Sequence, residues 1–193
     1  MKQAKRYGFS LTLMGLAVLF SAAAVGAQDF SVELMLNSND PSDGFASRYD
    51  DEWGGGVGLT YMFNDYFGFH TSMNYVKFTA DYEGADFGII RWNINGRIAV
   101  PFAERFRLFA EGGMGLYLWD ADSTWWTDGE SEDGADLGYN WGFGMDFNVW
   151  KDIDVTASYT RHSVEFEDSN DRFCWSEISL GARFHLDPMI FSH

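Results

Sequence analysis

Three groups of side chains in this chain are of types that do chemistry. The first is the tetrapeptide His162-Ser163-Val164-Glu165. A histidine, a hydroxyl and a carboxylate are the parts of an acyl-transfer site, provided the base can reach the proton of the nucleophile. The second group is acidic. Segments 40–52, 79–86, 120–136 and 165–172 hold nineteen carboxylates, against Arg48 and Arg172 as their only bases. Asp120, Asp122, Asp128, Glu130, Glu132 and Asp133 crowd one of these segments, and clustered carboxylates suit Ca²⁺ or Mg²⁺. The stretches DADSTW and DGESEDG lack the spacing and glycine placement of an EF-hand loop, so these six are weak metal candidates and no cofactor is expected. The third group is Glu33, Arg91, Arg97, Arg107, Glu111, Asp146, Glu177 and Arg183, four acids and four arginines scattered among apolar and small residues.

What these groups can do depends on the elements that carry them. In 137–149, LGYNWGFGMDFNV, every odd position is large and apolar and every even position is glycine, amide or carboxylate. A period of two over thirteen residues predicts a β-strand with one greasy face. Seven further segments alternate in the same way: 29–38, 52–63, 67–78, 87–100, 106–119, 154–165 and 175–186. They run ten to fourteen residues, whereas strands of soluble proteins average about five or six, and a tilted strand needs about 9–11 to cross a bilayer. The intervals alternate short (64–66, 101–105, 150–153) and long (39–51, 79–86, 120–136, 166–174). Pro41, Pro101 and Pro188 all fall outside the segments, as expected if the sheet tolerates no break. No amphipathic helix, heptad pattern or linker is evident, so the chain reads as all-β.

An apolar face could meet a soluble core or lipid. The N-terminus, MKQAKRYGFSLTLMGLAVLFSAAAVGAQD, has a basic start, a short apolar run and small residues up to Ala27. It predicts a secretory signal peptide over 1–27, cleaved before Gln28; the apolar run is too short to span comfortably as a helix. Removing Lys2, Lys5 and Arg6 leaves ten bases against 29 acids, a mature net charge of −19, which argues against nucleic acid. Cys174 is the only cysteine, so no internal disulfide supports the fold. Phe63, Phe67, Phe102, Phe106, Phe147, Trp150 and Phe184 lie near the short turns. Trp53, Tyr75, Trp119, Tyr139, Tyr159 and Trp175 lie near the long loops. Two such girdles around an aliphatic band are what membrane interfaces demand. The expected fold is a closed eight-stranded antiparallel up-and-down transmembrane β-barrel over 28–186, followed by a short periplasmic tail, 187–193. Trp141, Phe143 and Phe147 face lipid; Asn140, Asp146 and Asn148 face inward, where a serine in place of Gly144 should be tolerated.

With this pattern the mature chain resembles the small eight-stranded outer-membrane β-barrel family, the group of the OmpX, OmpW and opacity-type proteins and the membrane domain of OmpA. Two local matches support it. The strand Ser179-Leu180-Gly181-Ala182-Arg183-Phe184-His185-Leu186 looks like a C-terminal assembly signal, in which Ser179, Gly181, Phe184 and Leu186 are the matching positions. RLFAEGGMGLY is similar to the glycine-spaced strand common in the family. The resemblance implies the outer membrane, surrounding lipid and lipopolysaccharide as partners, and insertion by the barrel-assembly machinery.

A barrel of eight strands has an interior that side chains can fill. The eight inward charges are therefore expected to pair as a network, with His70 and His185 as further members. Breaking it, as in Glu111→Ala, should lower stability and open a leak. Lys77 and Arg161 occupy outward positions beside long loops, at the height of lipopolysaccharide phosphates. Some barrels of this kind modify lipid A with a membrane-facing His, Ser and acid. His162 and Ser163, however, are strand neighbours and point to opposite faces. The expected function is a monomeric, non-enzymatic barrel with a structural or adhesin-like surface role, a plugged interior and an extracellular ligand that the sequence does not name. A narrow porin-like channel is the alternative, and a lipid A-modifying enzyme the third.

Overall fold

The alternation translates directly into strands. In the computed structural model, described here for residues 29–42, 50–79, 86–121, 132–165 and 172–186, eight strands follow in chain order. They are β1 (Asp29–Ser42), β2 (Glu52–Met62), β3 (Phe67–Phe78), β4 (Phe87–Ala103), β5 (Phe106–Ala121), β6 (Glu132–Trp150), β7 (Ile153–Glu165) and β8 (Arg172–Leu186). Each pairs antiparallel with its sequence neighbours, and β8 pairs back onto β1 to close the barrel. Closure gives every strand two partners, which removes the unpaired edges that a bilayer cannot solvate. The signal-peptide and tail expectations (1–27 and 187–193) lie outside the described residues.

The inversion of inside and outside is complete enough to identify the solvent. Leu34, Leu36, Ile94, Ile98, Phe143, Met145 and Leu180 are exposed, whereas Glu33, Arg91, Arg97, Asp146, Glu177 and Arg183 are buried. A continuous apolar belt of this kind is untenable in water and is what hydrocarbon requires. Trp141, Phe143 and Phe147 point outward, and Asn140, Asp146 and Asn148 point inward.

The strand ends differ from the sequence reading, and mostly at the outer rim. β1 runs on to Ser42, β5 to Ala121, β6 begins at Glu132 and β8 at Arg172. Pro41 and Pro101 therefore lie within strands, not outside them. The pairing explains why they are tolerated. Pro41 opposes Trp175 of β8 but lies beyond the last β1–β2 pair, Asn39↔Glu52. Pro101 lies at a register shift against β5, past the last β3–β4 pair. A residue without an N–H fits both places. The periplasmic turns are tight: in one, the Asn64 side-chain oxygen accepts the N–H groups of Tyr66 and Phe67 at 2.9 Å each, closing an Asx turn.

Candidate functional site

The buried charged side chains of the described residues lie in the barrel interior, arranged in tiers from the periplasmic to the outer end. At the periplasmic end the His185 ring is held between two carboxylates, with Nδ1 2.8 Å from Asp29 and Nε2 2.8 Å from Asp154. Asn148 donates to Asp154 at 2.7 Å. The three strands that close the barrel, β7, β8 and β1, are thereby clasped at their periplasmic ends.

Above the clasp is the main ion network. Arg183 donates to Glu33 at 2.9 Å and to Asp146 at 2.5 Å. Asp146 also accepts from Arg97, at 3.3 Å, and from the Thr156 hydroxyl, at 3.0 Å. The Arg97 guanidinium lies over the Phe109 ring, 3.5 Å from its centroid. Glu111 completes the tier beside His70 Nδ1 (3.0 Å) and Asn95 (3.4 Å), with Arg97 more distant at 3.9 Å. Higher still, Arg91 pairs with Glu177 and donates to Asn39 at 3.2 Å, and Ser179 donates to Glu177 at 2.8 Å. Arg91 is on β4 and Glu177 on β8, four strands apart in a ring of eight, so this pair crosses the lumen from wall to wall. Buried charges persist when they are paired and hydrogen-bonded, and an arginine fork can hold two carboxylates at once, as Arg183 does.

Arg107 departs from the expected network. Register places it opposite Asp146, but both Asp146 oxygens are occupied by Arg97, Arg183 and Thr156. Arg107 instead lies at the mouth, one-third exposed, and its only carboxylate contact among the described residues is a loose 3.9 Å approach to Asp29. Asp29 and Asp154, absent from the sequence-based set of interior charges, take the places of partners at this end.

The outermost tier is apolar. Val76, Phe78, Phe87, Ile89, Tyr117, Trp119, Val164, Phe173 and Trp175 form one buried cluster inside the outer end of the barrel. Trp175 is 0% exposed and stacks on the His162 ring, with centroids 4.8 Å apart and planes at 18°. The Tyr117 hydroxyl is 3.0 Å from His162 Nδ1. Trp119 and Trp175 are therefore not members of an outer aromatic girdle. Both point inward, on the same faces as Glu111 and Arg183 respectively. Their parity within β5 and β8 was the signal that placed them there.

The glycines of β6 seat this aromatic material. Gly144 is the register partner of Phe109, and a Cβ on it would collide with the Phe109 ring and meet the Ala157 carbonyl oxygen at 2.5 Å. A Cβ on Gly138 would stand 2.8 Å from the Tyr117 ring. The expectation that serine would be tolerated at Gly144 is thus overturned, because the apparent space is filled by a side chain from the adjacent strand. In β8, Ser179 and Gly181 face inward and Phe184 and Leu186 lie on the outward face; a Cβ on Gly181 would meet Glu33 Oε1 at 2.9 Å.

The remaining candidates do not assemble into a site. His162 is buried inside the barrel, whereas Ser163 lies on the opposite face, 3.5 Å from the Cys174 sulfur. Lys77 on β3 and Arg161 on β7 point outward from opposite walls; Lys77 lies 2.5 Å from Asp86, and Arg161 donates to Ser176 at 3.0 Å. Of the acidic candidates, Asp122, Asp128 and Glu130 lie outside the described residues. Glu132 falls at the start of β6, and Asp120 opposes Asp133 across the β5–β6 pair. No group of three or more metal-ligating side chains occurs among the described residues.

A closed eight-stranded barrel with a lipid-facing belt and a charged, filled lumen defines the class of an outer-membrane barrel. Residues 9–184 match the outer membrane protein beta-barrel domain, and the chain belongs to that family. It is a protein of the outer membrane. Comparison with curated protein sequences finds no match. Among solved structures, the chain is similar in fold to the Neisserial surface protein A (TM-score 0.62, 14% identity, covering 80% of this chain and 96% of that one). It is also similar to OprG of Pseudomonas aeruginosa (TM-score 0.60, 13% identity, 83% and 97% covered). A third is Ail, the attachment invasion locus protein of Yersinia pestis (TM-score 0.57, 18% identity, 82% and 98% covered).

Proposed function

We propose that the protein is a monomeric, non-conducting barrel with a structural or surface-interaction role at the cell surface. The observation that carries this is the doubly filled lumen: ion pairs that cross it, with an aromatic cluster above them. A path for ions needs a wetted passage, and a hydrophobic constriction opposes one by excluding water. The separation of His162 from Ser163 onto opposite faces favours a non-enzymatic role over lipid A modification. A surface role is in keeping with the nineteen acids of the outer segments, which favour a basic partner over an acidic one. Ail is named for attachment and invasion, and only the shared fold carries that idea here. Insertion by the barrel-assembly machinery, reading the end of β8, belongs to the same proposal.

The test is conductance of the refolded full chain in planar bilayers. Current should be absent, or small and intermittent. A large, steady conductance would overturn the proposal and favour a narrow porin-like channel. Lys77 and Arg161 are proposed to pair with lipopolysaccharide phosphates at the outer rim. At Lys77 a phosphate would compete with Asp86. Joint reversal, Lys77→Glu with Arg161→Glu, should weaken lipopolysaccharide association, and an unchanged association would remove this role from both residues.

A further inference from the structure

We propose that the periplasmic mouth of the barrel binds a small free solute bearing an oxyanion, a carboxylate or phosphate. A cavity of about 220 Å³ opens there, and its lining includes Arg105, Arg107 and Lys151. Drug-sized ligands occupy roughly 300–1,000 Å³, so this space suits a small solute. The sequence has ten bases beyond residue 27. Arg91, Arg97 and Arg183 are buried in ion pairs, Lys77, Arg161 and Arg172 belong to the outer rim, and Arg48, between β1 and β2 in sequence, falls outside the described residues. The remaining three all line this one cavity, although they come from the β4–β5 turn, the start of β5 and the β6–β7 turn.

The carboxylates around the cavity are largely engaged already. Asp146 is held by Arg97 and Arg183, and Asp154 by His185 and Asn148. Asp29, which approaches Arg107, is held at 2.8 Å by His185. Glu104, an exposed turn residue, is the lining acid left to oppose the bases. Arg105 and Lys151 are exposed and form no side-chain ion pair among the described residues. Two guanidinium forks and an ammonium group around one small space are the donor set that carboxylates and phosphates share as ligands. Phospholipid headgroups around the barrel carry the same chemistry. Arg107, Asp154 and His185, however, face into the lumen, where a free solute reaches and a headgroup outside the wall does not.

The experiment is calorimetric titration of the refolded full chain, in uncharged detergent micelles at low ionic strength, with citrate and separately with inorganic phosphate. Saturable binding of at least one is expected, weakening as salt is raised. Arg105→Gln and Lys151→Gln should each weaken it several-fold, and the double variant about tenfold or more. Both sites are in turns, and heat-dependent gel migration checks that the variants close normally. Arg172→Gln, at the far rim, should bind as the unmodified chain does. Three results would overturn the proposal: no saturable binding of either probe, affinity unchanged in the double variant, or equal loss in Arg172→Gln. In nanodiscs containing anionic phospholipid the affinity should be retained. Competitive loss there would assign the site to a lipid phosphate and overturn the free-solute assignment.

Discussion

Asp146→Ala is the substitution that should damage this barrel most without touching its lipid face. Asp146 is 2% exposed and accepts from three side chains: Arg183 at 2.5 Å, Arg97 at 3.3 Å and Thr156 at 3.0 Å. After truncation Arg183 keeps Glu33, but Arg97 keeps only the face of Phe109 and Glu111 at 3.9 Å. Removing one partner of a buried ion pair costs about 3–5 kcal/mol, since the desolvated charge that remains has lost its counter-ion. With a urea dependence of about 2 kcal/mol per molar, the unfolding midpoint should fall by about 1.5–2.5 M. The assay is equilibrium urea unfolding in lipid vesicles, followed by tryptophan fluorescence and by gel migration of the closed barrel. Asp146→Asn keeps the shape and part of the hydrogen bonding, so it should lose less. A midpoint shift below about 0.5 M in Asp146→Ala would mean that water replaces the carboxylate and that the tier is solvated. The ion-pair account of the interior would then fail.

Phe143→Arg places a charge on the lipid face and should cost about 2–4 kcal/mol near the midplane, read as lost insertion into vesicles. Gly144→Ser should lower the urea midpoint, because its Cβ collides with the Phe109 ring; a neutral result would require that ring to move aside freely. Glu111→Ala should lower the melting temperature, since Asn95, Arg97 and His70 all lose a carboxylate, yet leave conductance near zero. Trp175→Ala should do the reverse in bilayers: it removes the ring at the centre of the outer cluster and should give measurable current at a stability cost of about 3–5 kcal/mol.

Much of this was legible in the sequence because a barrel strand has only two faces. Once Phe143 is assigned to lipid, Asn140 and Asp146 must be inside, and the same parity places Arg91, Glu111 and Arg183. Strand ends were less legible because beyond the bilayer neither face meets hydrocarbon. Residues 132–136, Glu-Asp-Gly-Ala-Asp, are small or polar on both sides and show no alternation, although they are paired with β5. Trp119 and Trp175 were placed by height along the strand, where aromatics commonly mark an interface, when parity within their own strands puts them inside. Gly144 and Arg107 failed for a different reason. One strand's pattern does not say that Phe109 covers the glycine beside it, or that Arg97 and Arg183 reach Asp146 ahead of its register neighbour. Those are outcomes of competition among several strands for the same space and the same two oxygens.

The two ends of the lumen are lined by different chemistry, and the difference bears on function. An ion network resists collapse but does not by itself exclude water, because its donors and acceptors can exchange partners with solvent. An apolar cluster offers water no partners, so a narrow apolar segment empties and ions meet a barrier there. In this barrel the apolar cluster with Trp175, Tyr117 and Phe87 lies at the outer end, while Arg107, Asp154 and His185 leave the periplasmic end polar and open to a cavity. On the non-conducting reading proposed above, the outer cluster is the barrier to ions that enter from the periplasmic side. The leak expected from breaking the network should therefore be absent while Trp175 is in place. It should appear in Glu111→Ala only when Trp175→Ala is combined with it, at a level above that of Trp175→Ala alone.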